Sequence, residues 1–394
     1  AVTGVQPCAL PICHDPAAVA QEVAPALPGI VGKDFRDAWR TLLSIPSVAG
    51  VMADSLRGAT GGGAVENAVA VIEGVGRAGV PAGLCYALTS QVFGIQWPLS
   101  TLSRKPLDPY VDGLTDGSLI LCHALTEDTG GSDPLSMRTA ARRTAESADV
   151  DGADFQIDGR KAYVTAAPAA DLILTFARTD EARHPFALSA FLIPADRAGV
   201  TRSEPFEKVA LTEVPMGAID FDAVRATEAD LVTTEGSGLA FLASTTTWER
   251  ALLMSYALGG MHATIERVVG WLRDRQQFGG SLGSNPLVAS RVSDLATIRY
   301  RVRTLVYDMA RRIDAGATPL SAMSTDAAQV KISCAQDLLQ FETTAAPLFG
   351  ARAVIADSGY HVNATSAVAA SIYAGTNDLL RVSIARDLGL PVEN

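Results

Sequence analysis

The 394-residue chain has little that would tie it to nucleic acid, a membrane or a metal. Its formal net charge is −11 with acidic and basic residues interspersed, so no basic stripe is available to neutralise phosphates and nucleic acid is not an expected partner. No apolar run is long enough to cross a bilayer, and no charged n-region precedes an apolar h-region, so neither a membrane anchor nor a secretory signal is expected. The five cysteines (Cys8, Cys13, Cys85, Cys122, Cys334) are odd in number and scattered. They give no disulfide framework and no metal-ligand spacing, and they suit a reducing cytoplasm. His123, His184, His262 and His361 lack metal or triad spacing as well, so no metal site is expected and a hydrolase has little behind it. Each of these histidines reads as a surface or satisfied core residue. Ala1 to Cys13 (AVTGVQPCALPIC) follow neither a helical nor a strand period and resemble translated sequencing-adapter DNA, so 1–13 is expected to be a non-native leader.

What is present is an ordinary globular composition, 48% hydrophobic and 19% charged, at a length that calls for two or three packed units. From about Asp34 to Pro109 the apolar residues recur at helical spacing, as in Phe35, Trp39, Leu42 and Leu43. The Gly-rich stretch from Gly58 to Ala64 interrupts this pattern. It lacks the Lys-Ser/Thr pair of a P-loop and reads as a flexible connection. Between Gly117 and about Thr227 the period shifts towards two. Strands are expected at Ser118–Leu125, Asp154–Ile157, Lys161–Thr165, Asp171–Ala177, Phe186–Ile193 and Gly217–Phe221, with Asp158-Gly159 as the turn of a tight hairpin. Helical patterns return at Gly238–Arg275, Leu287–Ala315, about Thr318 to Leu348, and from about Asn377. Mixed α and β structure is therefore expected: an N-terminal helical domain (14–116), a central small β-domain (117–232) and a C-terminal four-helix bundle (233–394).

Four motifs stand out along this frame. Leu125-Thr-Glu-Asp-Thr-Gly-Gly-Ser-Asp133 ends a strand in a Gly-rich turn, exposing backbone N–H groups and hydroxyls without bulky side chains; by itself it could equally be a structural turn. Gly159-Arg-Lys-Ala-Tyr-Val-Thr165 sets an aromatic and a Thr two apart, on one face of a strand, where they could stack on and bond a planar ring or simply pack a hairpin. Arg273-Asp-Arg-Gln-Gln-Phe-Gly279 closes a long helix with cations that could hold a pyrophosphate or merely suit a helix C-terminus. Ile372-Tyr-Ala-Gly-Thr-Asn-Asp378 opens the last helix.

In order and spacing these motifs resemble those of the acyl-CoA dehydrogenase family, and the resemblance runs from about Asp34 to the C-terminus. It implies an FAD-dependent enzyme that converts an acyl thioester, on CoA or an acyl-carrier protein, to the trans-2-enoyl thioester. Leu125, Thr126, Ser132, Tyr163, Thr165, Gly350, Gly375, Thr376 and Asn377 would hold the cofactor. Arg275 and Phe278 would serve the FAD of a neighbouring subunit, and Ser132, Arg250 and Tyr373 would meet the substrate. The resemblance further implies a homodimer or homotetramer and an electron acceptor such as an electron-transfer flavoprotein.

In the commonest branch of the family the residue before Gly-Thr is the catalytic Glu; here it is Ala374. In the branch that includes isovaleryl- and long-chain-acyl-CoA dehydrogenases the base lies on the first long bundle helix, immediately before an Arg, and Trp248-Glu-Arg250 matches that arrangement. The surroundings of Glu249 argue independently in the same direction. Leu252 and Leu253 follow it at i+3 and i+4, and apolar neighbours raise the pKa of a carboxylate and make it a better acceptor of a carbon-bound proton. The alternative is an ordinary Glu-Arg pair on a helix flank. By the resemblance Glu249 removes the α-proton, the β-hydrogen leaves as hydride to flavin N5, and the Ala374 N–H polarises the thioester carbonyl.

Asp128, Tyr163, Ala166, Pro286, Pro347, Ala351, Thr365 and Ser366 depart from residues the family often carries, which points to a divergent member acting on an unusual acyl group. Two other readings remain at this stage, a flavin oxidase or monooxygenase on the same scaffold and a non-catalytic acyl-thioester-binding protein.

Overall fold

In the computed structural model residues 14–102, 107–144, 154–362 and 364–392 are described, so the expected leader 1–13 lies outside them. Asp15 opens α1 (Pro16–Val23) and Asp34 opens α2 (Phe35–Leu43), each carboxylate accepting the N–H two residues on. The expected apolar stripe of α2 is buried, Trp39 included. Next come α3 (Pro46–Arg57), α4 (Ala64–Ala78), α5 (Ala82–Thr89), α6 (Trp97–Leu102) and α7 (Val111–Asp116). Ser90–Gln96 joins α5 to α6 as a π-helical turn, which no periodicity announces.

The connection between α3 and α4 is tied down where the sequence suggests flexibility. The Asp314 carboxylate accepts from the Gly61, Val65 and Glu66 N–H groups at 3.1, 3.1 and 2.9 Å, capping α4 from a residue far along the chain.

The middle of the chain forms a seven-stranded sheet: β1 (Leu121–Ala124), β2 (Ala140–Arg143), β3 (Phe155–Thr165), β4 (Leu172–Arg178), β5 (Leu188–Pro194), β6 (Val200–Arg202) and β7 (Met216–Ala226). Its order is β1-β4-β2-β3-β7-β6, with β5 also on β4. The expected hairpin at Asp158-Gly159 does not form. Phe155 to Thr165 is one strand antiparallel to β7, and Gly159 (φ 149°) sits at a register shift within it. A Cβ there would lie 2.6 Å from Thr139 Cα, so close approach of the neighbouring chain, and no turn, is what requires this glycine. The short strands β2 and β6 have four and three residues, too few to show a period.

The C-terminal helices are α8 (Gly238–Leu252), α9 (Ser255–Asp274), α10 (Pro286–Ala315), α11 (Ser324–Phe349), α12 (Ala364–Ala369) and α13 (Asn377–Asp387), with a two-stranded hairpin, β8 (Gln276–Gln277) and β9 (Gly280–Ser281), after α9. The single helix expected over Gly238–Arg275 is broken. Tyr256 and Ala257 donate three residues back, to the Leu253 and Met254 carbonyls, tightening the backbone there. Leu252, Leu253 and Met254 are all buried, so the apolar pattern runs through the break without marking it. One core unites the N-terminal helices with the bundle, a second lies within the sheet, and a third joins the sheet to α3, α6, α7 and α8.

Candidate active site

A cavity of about 890 Å³ opens where these units meet. Its walls come from α5 and the π-helical turn, the ends of β1 and β3, α8, and the segment before α13. Aromatic stacking runs from the π-helical turn through the first residue of α6 to α8: Phe93 on Trp97 at 5.4 Å, and Trp97 on Trp248 at 5.6 Å. Glu249 follows Trp248 directly and faces the cavity. Gly94 lies beside its carboxylate, and a Cβ at that residue would stand in ordinary contact, 3.7 Å from both Glu249 Oε1 and Ser90 Oγ.

Burial pushes the Glu249 carboxyl up to about 7, against the opposing pull of the Arg250 and Lys331 charges. Arg250 Nε donates to the Ala374 carbonyl at 2.9 Å, and Lys331 Nζ donates to the Gly375 carbonyl and to Asn377 Oδ1, both at 2.9 Å. Two cations therefore hold the Ala374-Gly375 peptides in place beside the carboxylate. Burial also lowers the Lys331 ammonium to about 8. Tyr373 donates its hydroxyl to Tyr256 at 2.9 Å, and its ring packs 5.0 Å from that of Tyr86.

Of the residues singled out in the sequence, Glu249, Arg250, Tyr373, Ala374, Gly375, Thr376, Leu125, Thr126, Ser132, Tyr163 and Thr165 all line this cavity. Asn377 is turned away, buried with its side chain engaged by Lys331. The Thr376 hydroxyl caps α13 by accepting from the Leu379 N–H. Tyr163 and Thr165 do not share one face of a regular strand, because Tyr163 has φ 57° and a register shift lies between Lys161 and Val164. Glu127 and Lys161, inside two of the motifs, form a buried ion pair at 3.0 Å, and Glu127 also accepts from Thr139 and the Arg138 N–H. This network ties the Gly-rich turn to β3, and Asp128, in a departing position, pairs with Arg160.

Arg275, Phe278 and Gly350 are outside the cavity. Arg275 lies over the Trp271 ring at 5.6 Å. Gly279 turns the β8–β9 hairpin with Phe278, both at positive φ, rather than releasing the end of the helix, which stops at Asp274. Phe278 is 100% exposed. Sequence reasoning missed Lys331, Gly94 and His123. Lys331 between Val330 and Ile332 on an apolar helix was a readable signal, whereas the role of Gly94 depends on the π-helical turn.

A helical unit, a sheet and a helical bundle converge on a cleft that offers hydroxyls on one side and a buried carboxylate on the other, the architecture of a flavin-dependent dehydrogenase. Residues 122–224 match the family model "Acyl-CoA dehydrogenase, middle domain" and residues 236–389 match "Acyl-CoA dehydrogenase, C-terminal domain". The chain belongs to the acyl-CoA dehydrogenase family, whose members are FAD-dependent enzymes. It is 28% identical over 334 residues to an L-prolyl-[peptidyl-carrier protein] dehydrogenase of Pseudomonas fluorescens, covering 84% of this chain and 85% of the relative. It is 26% identical over 356 residues to the mitochondrial isovaleryl-CoA dehydrogenase of Pongo abelii, covering 90% and 81%. In structure it resembles the FAD complex of PigA, with a TM-score of 0.83 at 24% identity over 96% of this chain and 97% of the other.

The cleft fits the cofactor. Thr126, Ser132 and Thr165 line it with hydroxyl-bearing side chains and Tyr163 with an aromatic one, and Gly131 leaves open a space in which a Cβ would lie 2.9 Å from Thr126. Among the described residues no helix is long and apolar enough to cross a membrane.

Proposed function

We propose that this protein oxidises an acyl thioester across its Cα–Cβ bond, with Glu249 as the base. The observation that carries the reading is the placement of the Glu249 carboxylate in the same cavity as Ala374, Thr126 and Thr165, with its pKa raised to about 7. FAD, held by residues such as Thr126, Ser132 and Thr165, would supply the two-electron acceptor for the β-hydrogen. Glu249 takes the α-proton, the electron pair left on Cα forms the new π bond, and the substrate loses one proton and one hydride in total. Desolvation favours the protonated carboxyl that results. The Ala374 N–H donates to the thioester carbonyl and makes the α-hydrogen acidic, while Arg250 fixes that peptide through its carbonyl. The methyl side chain of Ala374 leaves the approach to Glu249 open, in keeping with the isovaleryl-like arrangement of the base.

The acyl group is carried on CoA or on a carrier protein, and the relatives named for a prolyl carrier and for isovaleryl-CoA support each in turn. Phe278, fully exposed at φ 52° on a hairpin tip, supports a homodimer or homotetramer in which Arg275 and Phe278 reach a neighbour's FAD. An electron-transfer flavoprotein is the acceptor expected of such an enzyme. The test is an anaerobic absorbance titration of the holoenzyme with acyl-CoA and acyl-carrier thioesters. Glu249→Gln should keep FAD yet slow flavin reduction by about 10²–10⁴, roughly 3–5 kcal/mol of transition-state stabilisation. A loss below about tenfold would remove Glu249 from this role.

A further inference from the structure

His123 is a polar side chain set among apolar residues that line the cavity. Leu121, His123 and Leu125 alternate along β1 and its extension so that all three line the cavity, alongside Ile95 and Leu242. The imidazole stands edge-on to Phe176, with ring centroids 5.4 Å apart. Its Nε2 is buried and has no hydrogen-bond partner among the described residues. The nearby amide of Gln91 is already engaged, donating to the Leu121 carbonyl. Burial, reinforced by the Lys161 charge, holds the imidazole down at about 4, so it is uncharged at neutral pH and keeps one acceptor nitrogen and one N–H. A buried polar atom without a partner costs stability, and such a cost in a ligand cavity is recovered when a ligand supplies the missing bond. Rotation of the ring about its Cβ–Cγ bond can present either nitrogen to the cavity.

We propose that His123 is a specificity-determining residue that hydrogen-bonds an N–H or O–H group on the acyl moiety, so that the substrate is a heteroatom-bearing acyl thioester rather than a plain alkyl one. This deepens the reading of Glu249 as base of an acyl-thioester dehydrogenase and rests on it only for the identity of the cavity. Ser90 lines the same cavity beside Glu249 and adds a further hydroxyl to its wall.

The experiment compares two pantetheine thioesters, pyrrolidine-2-carbonyl and cyclopentanecarbonyl, which differ by an N–H against a methylene. Affinities are read from the flavin absorbance shift of Glu249→Gln holoenzyme, in which turnover is suppressed. The pyrrolidine thioester should bind about tenfold or more tightly. Adding His123→Phe should abolish that preference and leave the carbocyclic affinity within about threefold, while His123→Gln restores part of it. The melting temperature of His123→Phe should be equal or higher, because an unpartnered buried nitrogen is removed; a purely structural histidine would give a lower one. Equal affinities for the two thioesters, or a preference that survives in His123→Phe, would overturn the proposal. If the preference holds while neither thioester reduces wild-type flavin, the dehydrogenase reading falls and the specificity assignment stands.

Discussion

Glu249 and Lys331 are displaced towards each other in pKa by the same cause, loss of water around both, with the carboxyl near 7 and the ammonium near 8. Replacing Lys331 with Met removes a positive charge that stabilises the Glu249 anion. With Glu249 in its proposed role, flavin reduction should rise through about pH 7 in the wild type and at higher pH in Lys331→Met, as stopped-flow absorbance will read. Stability follows with the opposite sign. The folded protein binds a proton on Glu249 more tightly than the unfolded chain does, so this residue costs stability as pH climbs from its ordinary value of 4.5 through about 7. Glu249→Gln should accordingly raise the melting temperature at pH 8 relative to wild type and leave it little changed at about pH 4. At this scale the sequence singled out Glu249 and Ala374 together, and both line the one cavity. His123 was not readable, because spacing rules detect sets of ligands and say nothing of one ring left without a partner in a cavity.

Among the elements, the cap on α4 shows how a local pattern misleads. A run of glycines looks mobile, yet its N–H groups and those of the following helix converge on Asp314, a residue on α10 that no local window includes. Asp314→Ala should lower stability by about 1–2 kcal/mol, measured by thermal or urea unfolding, with little effect on the chemistry of bound flavin. The strand expectations succeeded at the continuous apolar runs of β4 and β5, each buried along almost its whole length, and failed at Asp158-Gly159, where the residue pair typical of a tight turn serves a close interstrand contact. The break between α8 and α9 escaped notice for a related reason: residues 251–259 are all buried, so no stripe there shows a phase that could slip.

For the molecule as a whole, the succession of helices, sheet and helices was legible from period alone, but the way the units lock together was not. Gly76 on α4 and Gly259 on α9 bring two backbones into contact, and a Cβ on Gly259 would fall well inside van der Waals distance of the Glu73 carbonyl oxygen. Gly259→Val should therefore separate the N-terminal helices from the bundle. The expected outcome is loss of FAD retention and a large drop in melting temperature, whereas Gly260→Ala, with open space around it, should behave as wild type. The π-helical turn carries a different kind of dependence. It accommodates one residue more than a regular helix would, and that surplus is what lets Ser90 and Gly94 flank the carboxylate. Losing a single amino acid there would let the chain anneal into plain helix and erase the bulge that sets Ser90 and Gly94 beside the carboxylate. Insertions and deletions, harmless in the loops of such a protein, are thus confined by one short segment, and the shape of the substrate cleft is inherited as chain length as much as side-chain identity.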